Sequence, residues 1–169
     1  MTEIRTERLL LRRMRSSDLS DLHAVFSNAE VMKYWSTLPH SDPAQTAALI
    51  KQTIDASPET TADFAIEYQG RVIGKAGFWN MPEIGYLLHP DFWRQGFGTE
   101  ALQALIAYGF GDRKLDHITA DVAPGNDASI RLLKKQGFIE TGREQNTLQI
   151  GDDWYDSVYF ELRPPLQRF

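Results

Sequence analysis

The residues from Glu83 to Ala101 restrict the folds open to this chain more than any other stretch. Ile84-Gly85-Tyr86-Leu87-Leu88 reads as a strand, and His89-Pro90 ends it. A polar loop then crosses to Gly96-Phe97-Gly98, which opens a run with Ala101, Leu102, Leu105 and Ile106 at helical spacing. A chain delivered through a glycine turn into a helix start builds an anion site. The first helical N–H groups lack intrahelical partners, and the terminus carries a partial positive charge that suits a pyrophosphate. Glycine fits there because a Cβ would block the approach of the backbone to a phosphate and forbid some backbone angles. Arg94 and Gln95 stand where side-chain contacts can be added. By itself the stretch also allows a plain loop into a helix, or a dinucleotide-binding unit, since Gly96-x-Gly98-x-x-Ala101 formally fits that fingerprint. The dinucleotide reading fits poorly. Its glycines should follow directly from the first strand of a βαβ unit, whereas here a proline-containing loop intervenes and two hairpin strands come first.

The flanking segments place this stretch in the middle of an alternating pattern. Arg8 to Arg12 reads as a short buried strand, and Ser16-Ser17-Asp18 as an N-cap cluster before a helix carrying Leu19, Leu22, Val25 and Phe26. A second helix runs from Pro43 to about Ala56, and residues 32–42 between them form a loop. Phe64 to Tyr68 and Val72 to Trp79 read as a hairpin turning at Gln69-Gly70. Ile118 to Val122 is a strand, and Asn126 to Gln136 a helix stopped by Gly137. Phe138 to Thr141 follows, then a hairpin of Thr147 to Ile150 and Trp154 to Leu162. Helices between strands, with hairpins at both ends, predict an α/β layer fold with a mixed sheet.

Composition narrows the function classes. With 42% hydrophobic and 24% charged residues the chain is expected to be globular. A net charge of −5 argues against phosphate-driven nucleic-acid binding, so any bound anion must be held locally. The absence of cysteine removes thiol nucleophiles, acetyl-cysteine intermediates, disulfides and thiolate metal sites. Met1-Thr2-Glu3-Ile4-Arg5 puts charges where a signal peptide carries an apolar core, and no apolar run approaches a membrane span. A cytoplasmic protein with no membrane partner is expected. Asp152, Asp153 and Asp156 read as turn and strand-end residues, and no metal is predicted.

The Gly96 stretch resembles the acetyl-CoA motif of the GNAT superfamily of N-acetyltransferases, (Gln or Arg)-x-x-Gly-x-(Gly or Ala), with Gly96 and Gly98 in register and Trp93 at the first position. An aromatic there is similar to the RimJ/RimL-type branch. Asn126-x-x-Ser129 followed by Gly137-Phe138 resembles that family's second motif helix; Thr6 to Arg12 and Asp152 to Val158 look like the same branch. The resemblance spans Thr6 to about Arg163. It implies one GNAT domain over residues 1–169, α/β (α+β), with a mixed, mostly antiparallel sheet flanked by helices.

The same resemblance implies the chemistry: transfer of acetyl from acetyl-CoA to a primary amine by direct attack in a ternary complex. The acceptor expected is a peptide or protein N-terminal α-amine. A small amine, an amino acid, or no turnover by a silent acetyl-CoA-binding module are the alternatives, and a homodimer is left open. Backbone N–H groups around Leu87 and Leu88, with Tyr86 beside them, would serve the thioester and pantetheine arm. Arg94, Gln95, Gly96, Phe97, Gly98, Thr99 and Asn126 would hold the rest of the cofactor. Many members protonate the departing thiolate with a tyrosine at the position of Leu133, which has no proton to give. Ser129 then becomes the candidate donor, through a hydrogen bond, or else a helix cap. Glu83 is the candidate base, or else a solvated strand-edge carboxylate. Trp35, Trp79 and Tyr155 are candidates for the acceptor groove. Among the histidines, His89 lies beside the cofactor strand, and His23, His40 and His117 read as structural.

Overall fold

A computed structural model of the chain describes residues 2–166; Met1 and residues 167–169 of the expected 1–169 domain lie outside them. Strands β1 (Ile4–Arg5), β2 (Leu10–Arg13), β3 (Ala62–Tyr68), β4 (Arg71–Asn80), β5 (Glu83–Leu88), β6 (Ile118–Val122), β7 (Ile139–Ile150) and β8 (Asp153–Leu162) form one sheet in the order β1-β2-β3-β4-β5-β6-β8-β7. Every neighbouring pair is antiparallel except β5 and β6. Helices α1 (Leu19–Phe26), α2 (Ala29–Met32) and α3 (Pro43–Asp55) cover one face, and α4 (Phe97–Gly111) and α5 (Asp127–Lys135) the other.

Strand alternation sorts the core into two layers. Ile66, Ile73, Phe78 and Ile84 pack with Ala101, Leu102 and Leu105 of α4, while Ala65, Val72 and Leu87 pack with Leu22, Val25, Phe26 and Ile50 of α1 and α3. Leu102 and Leu105 are almost fully buried, each removing an aliphatic side chain from water, about 1.5–3 kcal/mol apiece. The β3–β4 turn at Gln69 and Gly70 has φ of 49° and 78°, the left-handed pair that matches the twist of a two-residue hairpin.

Several local readings change. Asp18 does not cap α1: its carboxylate accepts from the Arg15 N–H at 2.7 Å and from the Arg12 guanidinium at 2.9 and 3.0 Å, tying β2 to the helix start. The pieces Phe138–Thr141 and Thr147–Ile150 are joined in one strand, β7, through register shifts after Glu140 and Glu144. The four-residue α2, just ahead of the 32–42 loop and not read from the sequence, is started by Asn28, whose Oδ1 accepts from the N–H groups of Glu30 and Val31.

The feature that positions the site is a gap in the sheet. β5 and β6 run parallel and pair only at Glu83 and Thr119, where Thr119 also donates its N–H to Pro82 O. Beyond that point the two strands separate. Main-chain groups on the β6 side of β5 are left without a ladder partner.

Candidate active site

The gap opens a cleft of about 800 Å³ between β5, β6, the start of α4, the start of α5 and the α2 region. Its lining includes Tyr86, Leu87, Leu88, Arg94, Gly96, Phe97, Gly98, Thr99, Asn126, Ser129 and Trp35. The parity of β5 follows from one bond. His89 donates its N–H to Ile73 O at 2.8 Å, so the amides of Gly85 and Leu87 face β4, and those of Tyr86 and Leu88 face the gap. Of the pair expected to serve there, Leu88 turns its main chain into the cleft while Leu87 turns its own toward β4; Tyr86 takes the second place. The indole Nε1 of Trp93 donates to Leu88 O at 2.8 Å. The aromatic at the first motif position thus closes the strand end and leaves the Leu88 N–H free for a ligand.

The glycine turn is held from outside by Arg8. Its guanidinium lies 4.1 Å from the centre of the Phe97 ring, donates to Gln95 O at 2.9 Å and pairs with Glu100 at 2.7 Å. Gly96, with φ of 81°, is the left-handed residue before α4, and the amides of Phe97, Gly98 and Thr99 form its open first turn. Gln95 is turned away, its Nε2 donating to Asp91 O at 2.8 Å, and it does not line the cleft. Lys33, Arg94 and Arg131 do line it and place cations in a chain that is acidic overall.

At α5 the geometry separates the cap from the Ser129 hydroxyl. Asn126 is the cap, its Oδ1 accepting from the Ser129 N–H at 3.3 Å, while the Ser129 hydroxyl meets Tyr86 Oη at 2.6 Å across the cleft. Burial pushes the Tyr86 hydroxyl up to about 12, with the Ser129 bond opposing, so it stays protonated at physiological pH. Leu133 is fully buried in the core.

The opposite face of β5 carries Glu83 and Gly85. Partial burial raises the Glu83 carboxyl above its ordinary value, a bond from Trp79 opposes this, and the charge of Asp121 adds to it. Trp35 packs over Gly85, and Trp79 stands beside it, half its surface exposed. Tyr34 packs against Gly125 and bridges the α2–α3 loop to the β6–α5 loop at the rim. That loop is tied down where His40 and His23 both bond Thr46 Oγ1, at 2.7 and 2.8 Å. Tyr155 lies on the β7–β8 ribbon, opposite Leu148, and is not part of the cleft lining. His89 is engaged locally, Nδ1 accepting from the Asp91 N–H. Two residues at the site were not singled out from sequence: Arg8, whose contact with residues 95–100 is tertiary, and Asp121, which ordinary strand alternation leaves anonymous.

The family model for the acetyltransferase (GNAT) domain matches residues 8–139, most of the chain. The chain belongs to the GNAT acetyltransferase family. It is an N-acetyltransferase of that family, similar to the uncharacterized N-acetyltransferase p20 of Bacillus licheniformis, with 38% identity over 152 residues covering 84% of this chain and 85% of p20. A GNAT-family acetyltransferase from Bacillus anthracis superposes with a TM-score of 0.84 at 27% identity, covering 96% of this chain and 98% of that one. RimL, a ribosomal L7/L12 alpha-N-protein acetyltransferase solved with coenzyme A, gives 0.85 at 20% identity over 96% of this chain and 98% of RimL. The GNAT fold is therefore secure, and acetyl-CoA is the acyl donor of the family. Among the described residues, no helix is long and apolar enough to cross a membrane.

Proposed function

We propose that the chain acetylates the α-amine of a peptide or protein N-terminus, binding acetyl-CoA in the β5–β6 gap. The observation that carries this reading is the openness of the acceptor end. Small-molecule sites enclose most of their ligand. Here Glu83 is half-buried and stands beside the exposed residues Trp79 and Asp121, a place for a chain end whose remainder stays outside. Carboxylates at Glu83, Asp121 and, bonded to Tyr159 at 2.8 Å, Glu144 favour a cationic amine. An α-amine, with a pKa near 8, also asks less of a weak base than a lysine near 10.4. RimL is named for an acceptor of this class, but at 20% identity it speaks only for the fold.

The residues fit the donor. The free amides of Tyr86 and Leu88 take the pantetheine arm and thioester oxygen; the α4 turn, Arg94 and Arg131 take the phosphates. Bound acetyl-CoA supplies an activated carbonyl and a thiolate leaving group. Glu83 removes the amine proton, directly or through water, and Ser129 donates a hydrogen bond to the departing sulfur.

Release of free thiol should be measured with a free-N-terminal peptide panel, with the same peptides blocked at the N-terminus but carrying lysine, and with spermidine and other small amines. Free-N-terminal peptides should give the highest kcat/KM. Faster turnover of spermidine would move the acceptor to small amines, and binding of acetyl-CoA without turnover on any arm would make the chain a silent binder. Acetyl-CoA and CoA should raise the melting temperature; stabilisation by NAD alone would overturn the cofactor assignment.

The glycine turn gives a sharper check. An alanine at 96 must hold a left-handed conformation costing about 1–2 kcal/mol, with its methyl 3.3 Å from Arg8 Nη2. Relief of that strain by displacement of the turn is expected to weaken CoA binding about tenfold. An alanine at 98 meets only the Leu132 and Leu88 side chains, at 3.6 and 3.7 Å, and is expected to be tolerated. Calorimetric titration of Gly96→Ala and Gly98→Ala checks both; equal affinities would remove the turn from the phosphate site.

A further inference from the structure

The sequence leaves a chemical problem: Leu133 occupies the position of the family's proton-donating tyrosine, and a lone serine is a weak donor. The structure places a different tyrosine in the cleft. Tyr86 comes from β5 and Ser129 from α5, on opposite walls, and their hydroxyl oxygens are 2.6 Å apart. We propose that Tyr86 is a positioning residue for acetyl transfer: its phenol O–H donates to Ser129 Oγ and turns the Ser129 hydroxyl proton toward the departing thiolate. The proposal rests on the reading that CoA binds in this cleft.

Two observations and one chemical argument give the direction of the relay. Asn126 already caps α5, so capping makes no demand on the Ser129 hydroxyl. The Tyr86 hydroxyl has no hydrogen-bond partner among the described residues other than Ser129. A phenol is a better donor than an aliphatic alcohol and a poorer acceptor, so the proton between the two oxygens belongs to Tyr86. A donor that is itself accepting a hydrogen bond is polarised and strengthened, more so where water is scarce.

The relay donates hydrogen bonds and does not transfer a proton. With its hydroxyl pushed up to about 12, Tyr86 is a weaker acid than an ordinary thiol, for which cysteine at about 8.5 is the guide, so proton transfer to the thiolate runs uphill. The electron count closes without that transfer. The amine lone pair forms the C–N bond, the C–S pair leaves on sulfur, the amine proton goes to Glu83 or solvent, and solvent protonates the released thiolate to give CoA and amide. Tyr86 and Ser129 keep their own protons throughout.

The test reads the thiol of bound CoA, titrated by its thiolate ultraviolet absorbance in wild-type protein, Tyr86→Phe, Ser129→Ala and the double variant, with CoA affinity and melting temperature measured alongside. Wild-type protein is expected to lower the pKa of the bound thiol below that of free CoA. Each single variant should raise it, and the double variant should raise it no further than Ser129→Ala. For kcat, Tyr86→Phe should cost about five- to tenfold and Ser129→Ala about tenfold, with the KM for acetyl-CoA little changed. A fluorinated tyrosine introduced at position 86, nearly isosteric but a stronger donor, should lower the bound-thiol pKa further, which a purely packing role would not do. Additive effects of the two single variants, or a bound-thiol pKa indifferent to fluorination, would overturn the relay. Loss of CoA binding in wild-type protein would instead sink the cofactor assignment, and the titration of affinity tells the two failures apart.

Discussion

Glu83→Gln is expected to slow acetyl transfer roughly 10²-fold or more at neutral pH while raising the melting temperature of the protein. Both effects come from the same desolvation. Partial burial raises the carboxyl pKa above its reference of 4.5, and the charge of Asp121 adds to the rise. A raised pKa brings the base closer to the pH at which it works, which favours general-base catalysis. It also means that the folded state binds a proton more readily than the unfolded chain. Stability conferred by this group is therefore greatest at low pH and declines as pH rises from the unfolded pKa through the folded one. At pH 7 the ionised carboxylate is a net cost, which glutamine removes while keeping an oxygen for the Trp79 indole. Below about pH 4 both states are protonated and the stability gain should vanish. The rate deficit should be largest below the acceptor amine pKa, near 8 for an α-amine, and shrink above it, where free amine no longer needs a base. Melting curves and pH–rate profiles of the two proteins check each part. A pH-independent rate deficit would remove Glu83 as the base, and an unchanged melting temperature at pH 7 would mean that the carboxylate is fully solvated.

The architecture was legible wherever local chemistry dictates it. Glycine and proline punctuation marked the ends of β5, α4 and α5, and the hairpin at Gln69-Gly70 followed from residues that accept left-handed backbone. β7 was read as two pieces because a strand declares itself by burying one face, and most of β7 buries neither. Its residues from Arg143 to Asn146 are exposed, so the sequence there is free of any period. α2 has four residues, too few to display one.

The site was legible as a neighbourhood and less so in its detail. The glycine turn, the α5 helix start and Glu83 all fell on recognisable motifs. Which amides of β5 face the gap depends on strand parity, and a shift of one residue exchanges Leu87 for Tyr86 and Leu88. The sequence contains every residue of that strand but not the His89–Ile73 bond that fixes its parity. Ser129 was ambiguous because capping and donation both favour the first turn of a helix. The structure gives the cap to Asn126 and sets the Ser129 hydroxyl against a tyrosine 43 positions earlier, a pairing that no local pattern announces. Arg8 acts through a tertiary contact with the Gln95 carbonyl, which leaves no pattern in sequence, whereas Trp93 is visible as the aromatic of the motif but its bond to Leu88 O is not.

The largest stability effect should come from a pair that strand alternation alone would leave unremarked. Asp63 of β3 and Lys75 of β4 form an ion pair with side chains only 4% and 6% exposed, beneath Trp35, whose ring centre lies 5.4 Å from Lys75 Nζ. The second carboxylate oxygen of Asp63 is buried with no hydrogen-bond partner among the described residues, so the pair is held by its mutual attraction more than by a network. Asp63→Ala would leave an uncompensated ammonium under the indole, at a cost of about 3–5 kcal/mol. For a chain of this size that lowers the melting temperature by roughly 6–20 °C. Replacing both partners with apolar residues of similar volume, Asp63→Leu with Lys75→Met, should recover most or all of the loss, because two desolvation penalties disappear together. Recovery of stability need not restore function. Trp35 lies over Gly85 and lines the cleft, so removing the cation beneath it should raise the KM for the amine acceptor while the affinity for CoA holds. Denaturant melts of the single and double variants measure the coupling. A single variant as stable as wild type would show that water reaches the pair, and a double variant no better than Asp63→Ala would show that the site cannot be packed with apolar groups.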